Sequence, residues 1–230
     1  TFGMTDECFW WGVILNPDRG HVNMEIIRDN EAFGSLRVPL PGLHNAYNTL
    51  AAIALLSNVG LESDAIIRHI EKFEGTRRRI ELKGEVNGLM VVDDYAHHPT
   101  EIQASLRAIA NCHKPKRIIC VFQPHQHSRT RFLLKDFAQS FALADEVILP
   151  DIYFVRDSQH EKDYISSKDL VAQIRLRGGI AIYLKTFDTI VEYIQGIAEP
   201  RDLVVTMGAG DIWKVADVII ERLGTDSPGE

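Results

Sequence analysis

The 230-residue sequence predicts an α/β protein whose larger, carboxyl-terminal part is a mostly parallel sheet with helices on both faces. Two observations predict this class. From about residue 80 onward, short apolar runs alternate regularly with longer amphipathic stretches, as strands and helices alternate in parallel α/β folds. Before that point, strand-like runs separated by tight-turn residues are typical of antiparallel pairing.

Composition limits the possible functions. Hydrophobic residues make up 45% and charged residues 25%, as in ordinary globular proteins, and the net charge of -7 gives no general attraction to nucleic acid or anionic membranes. No apolar run is long enough for membrane insertion, and no secretory leader is recognisable. Cys8, Cys112 and Cys120 form no CxxC pair, which predicts buried, reduced thiols in a cytoplasmic protein.

The first 76 residues predict three strands followed by two helices. The sequence begins at Thr1 without an initiator methionine and reads from the start like the middle of a domain. We expect strands within residues 8–15, 22–27 and 35–40, with turns at residues 16–20 and at Asp29 and Asn30. Helices should cover residues 42–60 and 61–75, the first stopping at Gly60 and the second near Gly75.

Residues 77–230 predict a second domain, with the boundary between residues 74 and 80. A strand follows the Arg77–Arg79 run, and the alternation then continues to the end of the sequence. We expect strands at 88–94, 117–123, 145–151, 179–184 and 202–207, and helices at 99–112, 129–144, 166–177, 187–198 and 211–223.

Three of the turns that follow predicted strands carry unusual residues, namely DDYAHHPTE at 93–101, FQPHQHSRT at 122–130 and TMGAGD at 206–211. Ligands of parallel sheets bind at the carboxyl ends of strands, so these turns are the candidate site. The third turn is glycine-rich and has two readings: a phosphate-binding turn, or close packing of helix on strand.

The first turn combines carboxylates with imidazoles. Pro99 suits a first helical position, which leaves His97 and His98 just before the helix with donors for phosphate oxygens. The carboxylate of Asp94 suits ribose hydroxyls or a metal-bound water. The alternative is that Asp94 only caps the turn and that the histidines are surface residues.

In the second turn, His125, His127 and Arg129 surround a predicted helix start with Ser128 as its cap. A cationic helix start is suited to a carboxylate or a phosphate, although it could also be merely solvated. Zinc binding is a further alternative, but the histidines lack a zinc-ligand spacing; the four candidates are His97, His98, His125 and His127.

Two upstream features complete the candidates. Asn45 and Asn48 share one face of the first helical turn, where amide side chains can read an adenine edge; the alternative is that Asn45 caps the helix and Asn48 is a surface residue. The Arg77–Arg79 run at the domain junction either clamps phosphates or is a solvated basic surface.

The order GLHNAYN, FEGTRRRIE, DDYAHHPTE, FQPHQHSRT and VTMGAGD resembles the Mur ligase family, in particular its alanine-adding members, over residues 1–220. The resemblance implies a carboxyl-terminal Rossmann-like domain at 77–230, preceded at 1–76 by the end of a central ATPase domain. It also implies ATP-dependent ligation of L-alanine to UDP-N-acetylmuramate through an acyl phosphate, with Mg²⁺ screening the phosphates. The family's glycine-rich phosphate loop and UDP-sugar domain are not found in these 230 residues, so we expect this chain alone to be inactive.

Residue by residue, the resemblance gives Asn45 and Asn48 an adenine contact, Arg79 an ATP contact and Asp94 a ribose contact. His97 and His98 are expected beside the nucleotide and substrate, and with Arg79 they are the predicted catalytic residues. His125 and Arg129, with His97, correspond to the alanine site. Gln126 and His127 replace the Arg-Tyr pair common in the family, which removes a charge there. The alternatives are a muropeptide-recycling ligase, a non-catalytic nucleotide- or partner-binding module, and a metal-binding protein.

Overall fold

The computed structural model describes residues 1–18 and 21–225, and the chain divides into two compact units. One unit contains Thr1–Gly75 together with Arg107–Lys114. The other contains Thr76–Leu106 and the chain from Pro115 onward. Over the described ranges, no helix is both long and apolar enough to cross a bilayer.

The first unit contains a four-stranded sheet in the order β1-β2-β3-β4. Its strands are β1 (Phe2–Gly3), β2 (Trp10–Asp18), β3 (His21–Arg28) and β4 (Glu31–Val38). The predicted antiparallel pairing of the three long strands is confirmed, whereas β1, which is parallel to β2, is too short to leave a pattern in the sequence.

The two predicted turns of this sheet have different outcomes. Asp29 and Asn30 both adopt positive φ, 49° and 63°, as a two-residue hairpin turn requires. The turn expected at 16–20 is misplaced at its start, because residues 16–18 still belong to β2. Residues 19–20 lie outside the described part of the chain.

Helices α1 (Leu43–Asn58) and α2 (Ser63–Ile70) accompany this sheet. Their apolar residues share one core with the strands, whose members include Met24, Ile26, Leu50, Ile53 and Ile66. The prediction that α2 extends to the neighbourhood of Gly75 is wrong, since it ends at Ile70. Phe73 is 45% exposed, so further turns of helix would have had no apolar face to bury.

The second unit contains the predicted parallel sheet, with the strand order β5-β6-β10-β7-β8-β9. Only β5 is antiparallel to its neighbour. The strands are β5 (Glu81–Val86), β6 (Leu89–Asp94), β7 (Ile118–Phe122), β8 (Glu146–Leu149), β9 (Ala181–Tyr183) and β10 (Leu203–Met207). The helices are α3 (Pro99–His113), of which the part from Arg107 onward groups with the first unit, α4 (His127–Phe132), α5 (Leu134–Ser140), α6 (Ser167–Leu176), α7 (Phe187–Ile197) and α8 (Trp213–Thr225), with a 3-10 helix at Gln159–Asp163.

Both faces of the sheet are apolar because successive strand residues point to opposite sides. Val91 and Val121 pack with residues of α7 and α8 in one buried core. On the opposite face, the ring of Phe122 lies 5.5 Å from that of Phe137 in α5. This two-sided burial explains the nearly continuous apolar runs of the central strands and confirms the doubly wound α/β fold.

One predicted helix is in fact two. Residues 129–144 do not form a single helix, because α4 ends at Phe132 and α5 begins at Leu134. Leu133, at φ -101° and ψ 18°, breaks the helix between them. The break lets α4 bury Thr130 while α5 directs Phe137 onto the sheet, two burials that the helical period alone did not resolve.

Candidate functional site

The strand order brings the three unusual turns together. Strand β10 lies between β6 and β7, and its last residue, Met207, is in register with both Asp94 and Phe122. The turns after these three strands therefore leave the sheet at the same edge and at the same level. This is the edge where the sequence predicted a ligand site.

Asp94 is buried at 2% exposure and accepts three hydrogen bonds from protein donors. Its Oδ2 accepts from the Ile80 N–H at 2.8 Å. Its Oδ1 accepts from the Ala96 N–H at 2.8 Å and from the Ser105 hydroxyl at 3.0 Å. These bonds give Asp94 a role in holding the β6–α3 turn, while the predicted ribose contact stays a prediction.

Arg78 is bonded to Asp93, the residue that precedes Asp94. Its Nε donates to Oδ2 of buried Asp93 at 2.9 Å. Oδ1 of Asp93 also accepts from the Thr206 hydroxyl at 2.6 Å. Burial raises the pKa of Asp93, and the hydrogen bonds from Thr206 and Arg78 act in the opposite direction.

The same guanidinium holds the glycine-rich turn, because its two terminal nitrogens donate to the carbonyls of Gly208 at 2.6 Å and Gly210 at 3.1 Å. A Cβ at Gly208 would lie 2.8 Å from the Gln123 carbonyl oxygen, and one at Gly210 would lie 2.5 Å from Oε1 of Gln123. The close-packing alternative is therefore the one that the structure supports for this turn.

Arg79 is placed differently from its neighbour. Its side chain is exposed, and its Cζ lies 5.4 Å from the ring centroid of Tyr95. Within the described residues, no hydrogen bond or ion pair of the Arg79 guanidinium is found, which leaves its donors available. Of the three consecutive arginines, Arg78 is anchored inside the unit, whereas Arg77 and Arg79 are exposed.

A line of ring contacts connects Arg79 with the second turn; we call it the ring row. It runs from Arg79 through Tyr95, His97 and His125 to Tyr153. The ring centroids of Tyr95 and His97 are 5.2 Å apart, those of His97 and His125 are 6.2 Å apart, and those of His125 and Tyr153 are 5.6 Å apart. The first and second turns therefore form one continuous surface.

The two histidines of the first turn separate here. Nδ1 of His97 lies 3.1 Å from the Tyr95 carbonyl oxygen and 3.4 Å from Oε2 of Glu101, so this nitrogen acts as a donor. His98 is exposed and lies outside the ring row, and its Nδ1 accepts from the Thr100 N–H at 3.3 Å. Pro99 begins α3, as predicted.

His125 is held firmly at the other end. Its backbone forms a parallel bridge with Tyr153, and the two rings stack with an interplanar angle of 19°. Burial lowers the pKa of His125, and the neighbouring Arg129 and His97 lower it further, while Asp157 acts in the opposite direction. The environment of this imidazole therefore favours its uncharged form.

The start of α4 does not match the prediction. Gln126, at φ 70°, is the N-cap residue instead of Ser128. The Ser128 N–H donates to Oδ2 of Asp157 at 3.1 Å, so a protein carboxylate already caps this helix. His127 is buried against the Phe154 ring at 5.8 Å. The expected anion site at the helix terminus is thus filled by Asp157, and the free groups of this turn are side chains.

Four side-chain atoms of this turn are buried and have no hydrogen-bond partner among the described residues. They are Oε1 of Gln123, Nδ1 of His125, Nδ1 of His127 and Nη1 of Arg129. Nδ1 of His127 lies 4.0 Å from Oδ2 of Asp157, so the other three are the candidates for contact with a ligand. Buried polar atoms normally have a partner, so unpaired ones that cluster on one turn mark a candidate ligand site. An acceptor, a neutral imidazole and a guanidinium together suit a small zwitterion that carries both an ammonium and a carboxylate group.

Asn45 and Asn48 belong to the first unit. The Asn45 amide donates to the Pro41 carbonyl at 2.8 Å, and the N-cap of α1 is Gly42, so the alternative that Asn45 caps the helix is wrong. Asn48 is exposed, and no hydrogen bond of its amide is found within the described ranges. Asn48 is the free amide of the pair.

The burial of the cysteines and the grouping of possible metal ligands can be compared with the predictions. Cys120 is buried, as predicted, but Cys8 and Cys112 are only partly so. In the part of the chain that the structure describes, no three His, Cys, Asp or Glu side chains are grouped to hold a metal ion.

Sequence reasoning missed Tyr153, Gln123 and the separate role of Arg78. Tyr153 follows β8 in a segment without helical or strand periodicity, and only the parallel bridge to His125 brings it to the site. Gln123 ends an apolar strand and gave no signal of its own. The side-chain directions of three adjacent arginines depend on backbone angles that composition does not reveal.

The fold and these turns define a class of protein: the pattern of the Mur ligase, glutamate ligase domain matches residues 78–210, and the chain belongs to the Mur ligase family. It is 43% identical over 223 residues to the UDP-N-acetylmuramate–L-alanine ligase of Caldanaerobacter subterraneus subsp. tengcongensis, covering 96% of this chain and 48% of that enzyme. The chain thus spans about half the length of the curated relatives it matches.

Solved structures show the same fold. The UDP-N-acetylmuramate–alanine ligase of Thermotoga maritima aligns with a TM-score of 0.80 at 24% identity, covering 98% of this chain and 48% of that one. The MurF ligase of Thermotoga maritima, solved in complex with ADP, aligns with a TM-score of 0.69 at 16% identity, covering 98% and 49%.

Proposed function

We propose that this chain is the carboxyl-terminal half of an ATP-dependent ligase that joins L-alanine to UDP-N-acetylmuramate in the bacterial cytoplasm, for peptidoglycan precursor synthesis. In this proposal, residues 1–76 are the end of a central ATP-binding domain and residues 77–230 are the ligase domain. The names of the relatives above 40% identity support the reaction, and the ADP complex of the MurF ligase supports the use of a nucleotide.

The observation that carries the proposal is the set of unpaired buried atoms on Gln123, His125 and Arg129. The Arg129 guanidinium and Nδ1 of the neutral His125 would donate to the alanine carboxylate. The side-chain oxygen Oε1 of Gln123 would accept from the amino group. A carboxylate would give Nη1 of Arg129 the partner that it lacks among the described residues.

In this proposal, the side chains of the ring row would serve the phosphorylated carboxylate and the attacking amine. Nε2 of His97 would accept a proton from the alanine ammonium, since Nδ1 is directed at the Tyr95 carbonyl. The free guanidinium of Arg79, at the far end of the row, would bind phosphate oxygens and stabilise the charge that develops during phosphoryl transfer. His98 would assist from the exposed side of the turn.

The remaining assignments fit unequally. The exposed amide of Asn48 suits an adenine edge better than that of Asn45, which is already bonded. Mg²⁺, which would screen the ATP phosphates, finds no cluster of acidic ligands among the described residues. We therefore propose that its protein ligands lie in the part of the relatives that this chain does not cover.

The test uses a protein of the relatives' full length. Arg79→Ala should raise the ATP requirement, and His125→Ala should chiefly raise the L-alanine requirement, each by roughly tenfold to a hundredfold for a lost charged or buried hydrogen bond. Arg77→Ala removes an equal charge from an exposed neighbour and is the matched control.

The 230-residue chain by itself should release no alanine-dependent phosphate. A His125→Ala enzyme whose ATP requirement alone rises would contradict the assignment of the second turn. Preference for a tripeptide over L-alanine as the acceptor would instead identify a muropeptide-recycling ligase.

A further inference from the structure

The backbone around Arg79 is strained on both sides. Arg78 has a φ of 62° and Ile80 a φ of 50°, so Arg79 lies between two non-glycine residues in the left-handed region. This region is unfavourable for L-amino acids and most of all for a β-branched residue such as isoleucine. Such a conformation persists only where surrounding contacts impose it.

Three hydrogen bonds impose it here. The Arg78 N–H donates to Oε2 of Glu81 at 2.7 Å, and the Arg78 carbonyl accepts from the Tyr95 N–H at 2.6 Å. On the other side, the Ile80 N–H donates to Oδ2 of Asp94 at 2.8 Å. Asp94 supplies the only one of these bonds that fixes the backbone after Arg79.

The acceptor on Asp94 is itself rigid. Its other oxygen accepts from the Ala96 N–H and the Ser105 hydroxyl, and the side chain is 2% exposed. Both oxygens of this carboxylate are thus engaged by protein donors. It is well suited to transmit the position of the β6–α3 turn to the backbone next to Arg79.

We propose that Asp94 is a positioning residue, which holds Ile80 in its strained conformation and thereby keeps the Arg79 guanidinium over Tyr95, ready for phosphate. The inference rests on the proposed function of Arg79 as a phosphate ligand. It assigns to Asp94 an effect on phosphate binding that needs no contact with a ribose.

Inorganic pyrophosphate is the probe that separates the two roles, because it carries phosphoryl oxygens and no ribose. Its affinity for the 230-residue chain is measured by NMR titration. Arg79→Ala should abolish saturable binding, while Arg77→Ala should leave the affinity within about twofold. Asp94→Asn should weaken pyrophosphate binding by about fivefold to tenfold, the cost of one lost conformational restraint.

Rescue distinguishes positioning from contact. Glycine adopts positive φ readily, so the double variant Asp94→Asn/Ile80→Gly should recover most of the pyrophosphate affinity. The double variant Asp94→Asn/Ile80→Ala removes a similar side chain but keeps the penalty of an L-residue, and it should recover none. A full recovery by alanine, or none by glycine, would overturn the proposal.

A second measurement does not depend on ligand binding. In the unsubstituted chain, the Ile80 amide hydrogen should exchange at least about tenfold more slowly than an unprotected amide, and Asp94→Asn should remove that protection. Unprotected exchange in the unsubstituted chain would refute the positioning role even if Asp94→Asn failed to fold.

The possible results remain distinguishable. If Arg79→Ala leaves pyrophosphate binding intact, the phosphate role proposed for Arg79 fails, and the exchange data alone decide whether Asp94 holds Ile80. If Asp94→Asn weakens ADP binding but not pyrophosphate binding, Asp94 contacts the nucleoside and the positioning proposal is wrong.

Discussion

The Nε of Arg78 donates to Oδ2 of Asp93 over 2.9 Å, and Asp93 is only 1% exposed on its side chain. Through this pair, β6 is joined to the turn after β10, because the same guanidinium also holds the carbonyls of Gly208 and Gly210. Arg78, one of three consecutive arginines, therefore holds these two elements together, whereas the side chain of its neighbour Arg79 is exposed.

Arg78 and Arg79 should differ sharply in their effect on stability. Arg78→Met leaves Asp93 buried without a cationic partner and should lower the free energy of unfolding by about 3 kcal/mol. Arg79→Met removes an exposed side chain and should change it by no more than about 0.5 kcal/mol. Urea unfolding followed by circular dichroism compares them, and equal losses would contradict this role of Arg78.

Gly210 should not tolerate a side chain. A Cβ there would lie 2.5 Å from Oε1 of Gln123 and 2.9 Å from the Tyr153 ring, so Gly210→Ala should cost about 1–3 kcal/mol. Gly196 in α7 has no atom within 4 Å of an added Cβ, and Gly196→Ala should stabilise by about 0.5–1 kcal/mol. Thermal unfolding of both variants checks this, and a neutral Gly210→Ala would show that the turn is loose.

Arg129 should lower the free energy of unfolding, or leave it unchanged, and should be needed for binding of a carboxylate ligand. Its Nη1 is buried without a protein partner, so Arg129→Met should leave the free energy of unfolding unchanged or raise it by up to about 1 kcal/mol. The same change should remove carboxylate binding in the full-length protein. Loss of stability in Arg129→Met, measured by urea unfolding, would mean that the guanidinium has a structural role.

The contribution of three histidines to the stability of the chain should fall as the solution becomes mildly acidic, against an opposite contribution from buried Asp93, whose pKa is raised. Burial lowers the pKa of His113, His125 and His127 below the ordinary value of 6.5. The unfolded chain then binds protons before the folded one does, so this contribution to the free energy of unfolding decreases as the pH falls below 6.5 and levels off beneath the folded-state pKa.

His125→Phe tests the contribution of one residue to this pH dependence. Phenylalanine keeps a ring against Tyr153 and does not titrate, so the loss of stability between about pH 7 and about pH 5 should be smaller than in the unsubstituted chain. An unchanged pH dependence would mean that the other two histidines account for it. Urea unfolding at a series of pH values supplies the measurement.

The fold was predictable because the burial of an element produces a regular pattern of apolar residues in its sequence. Strands β6, β7 and β10 are covered on both faces, so their residues read as continuous apolar runs, and Pro99 marks the start of α3. Element ends were harder to predict. The break at Leu133 and the early end of α2 depend on which surfaces the neighbouring elements offer, and periodicity carries no information about neighbours.

The site was predictable as a set of turns but not as a geometry. Local sequence marked the residues that follow β6, β7 and β10, and the Mur ligase resemblance supplied roles for them. The sequence did not distinguish the role of Arg78 from that of Arg79. It also predicted Ser128 as the cap of α4, whereas Gln126 is the N-cap residue and Asp157 accepts a hydrogen bond from the Ser128 N–H. Those distinctions depend on backbone angles and on partners far away in the chain.

By itself, the sequence determined that a parallel sheet forms and that histidines, arginines and carboxylates follow its strands, because periodicity and turn residues are local properties. Only the tertiary structure decided which of these groups already have hydrogen-bond partners. Arg78 and Asp94 are bonded to protein atoms, whereas Arg79 is exposed over Tyr95, and one atom each of His125 and Arg129 has no partner among the described residues. The physical reason is that a polar group is available to a ligand only where folding has not already satisfied it, and that depends on residues distant in sequence.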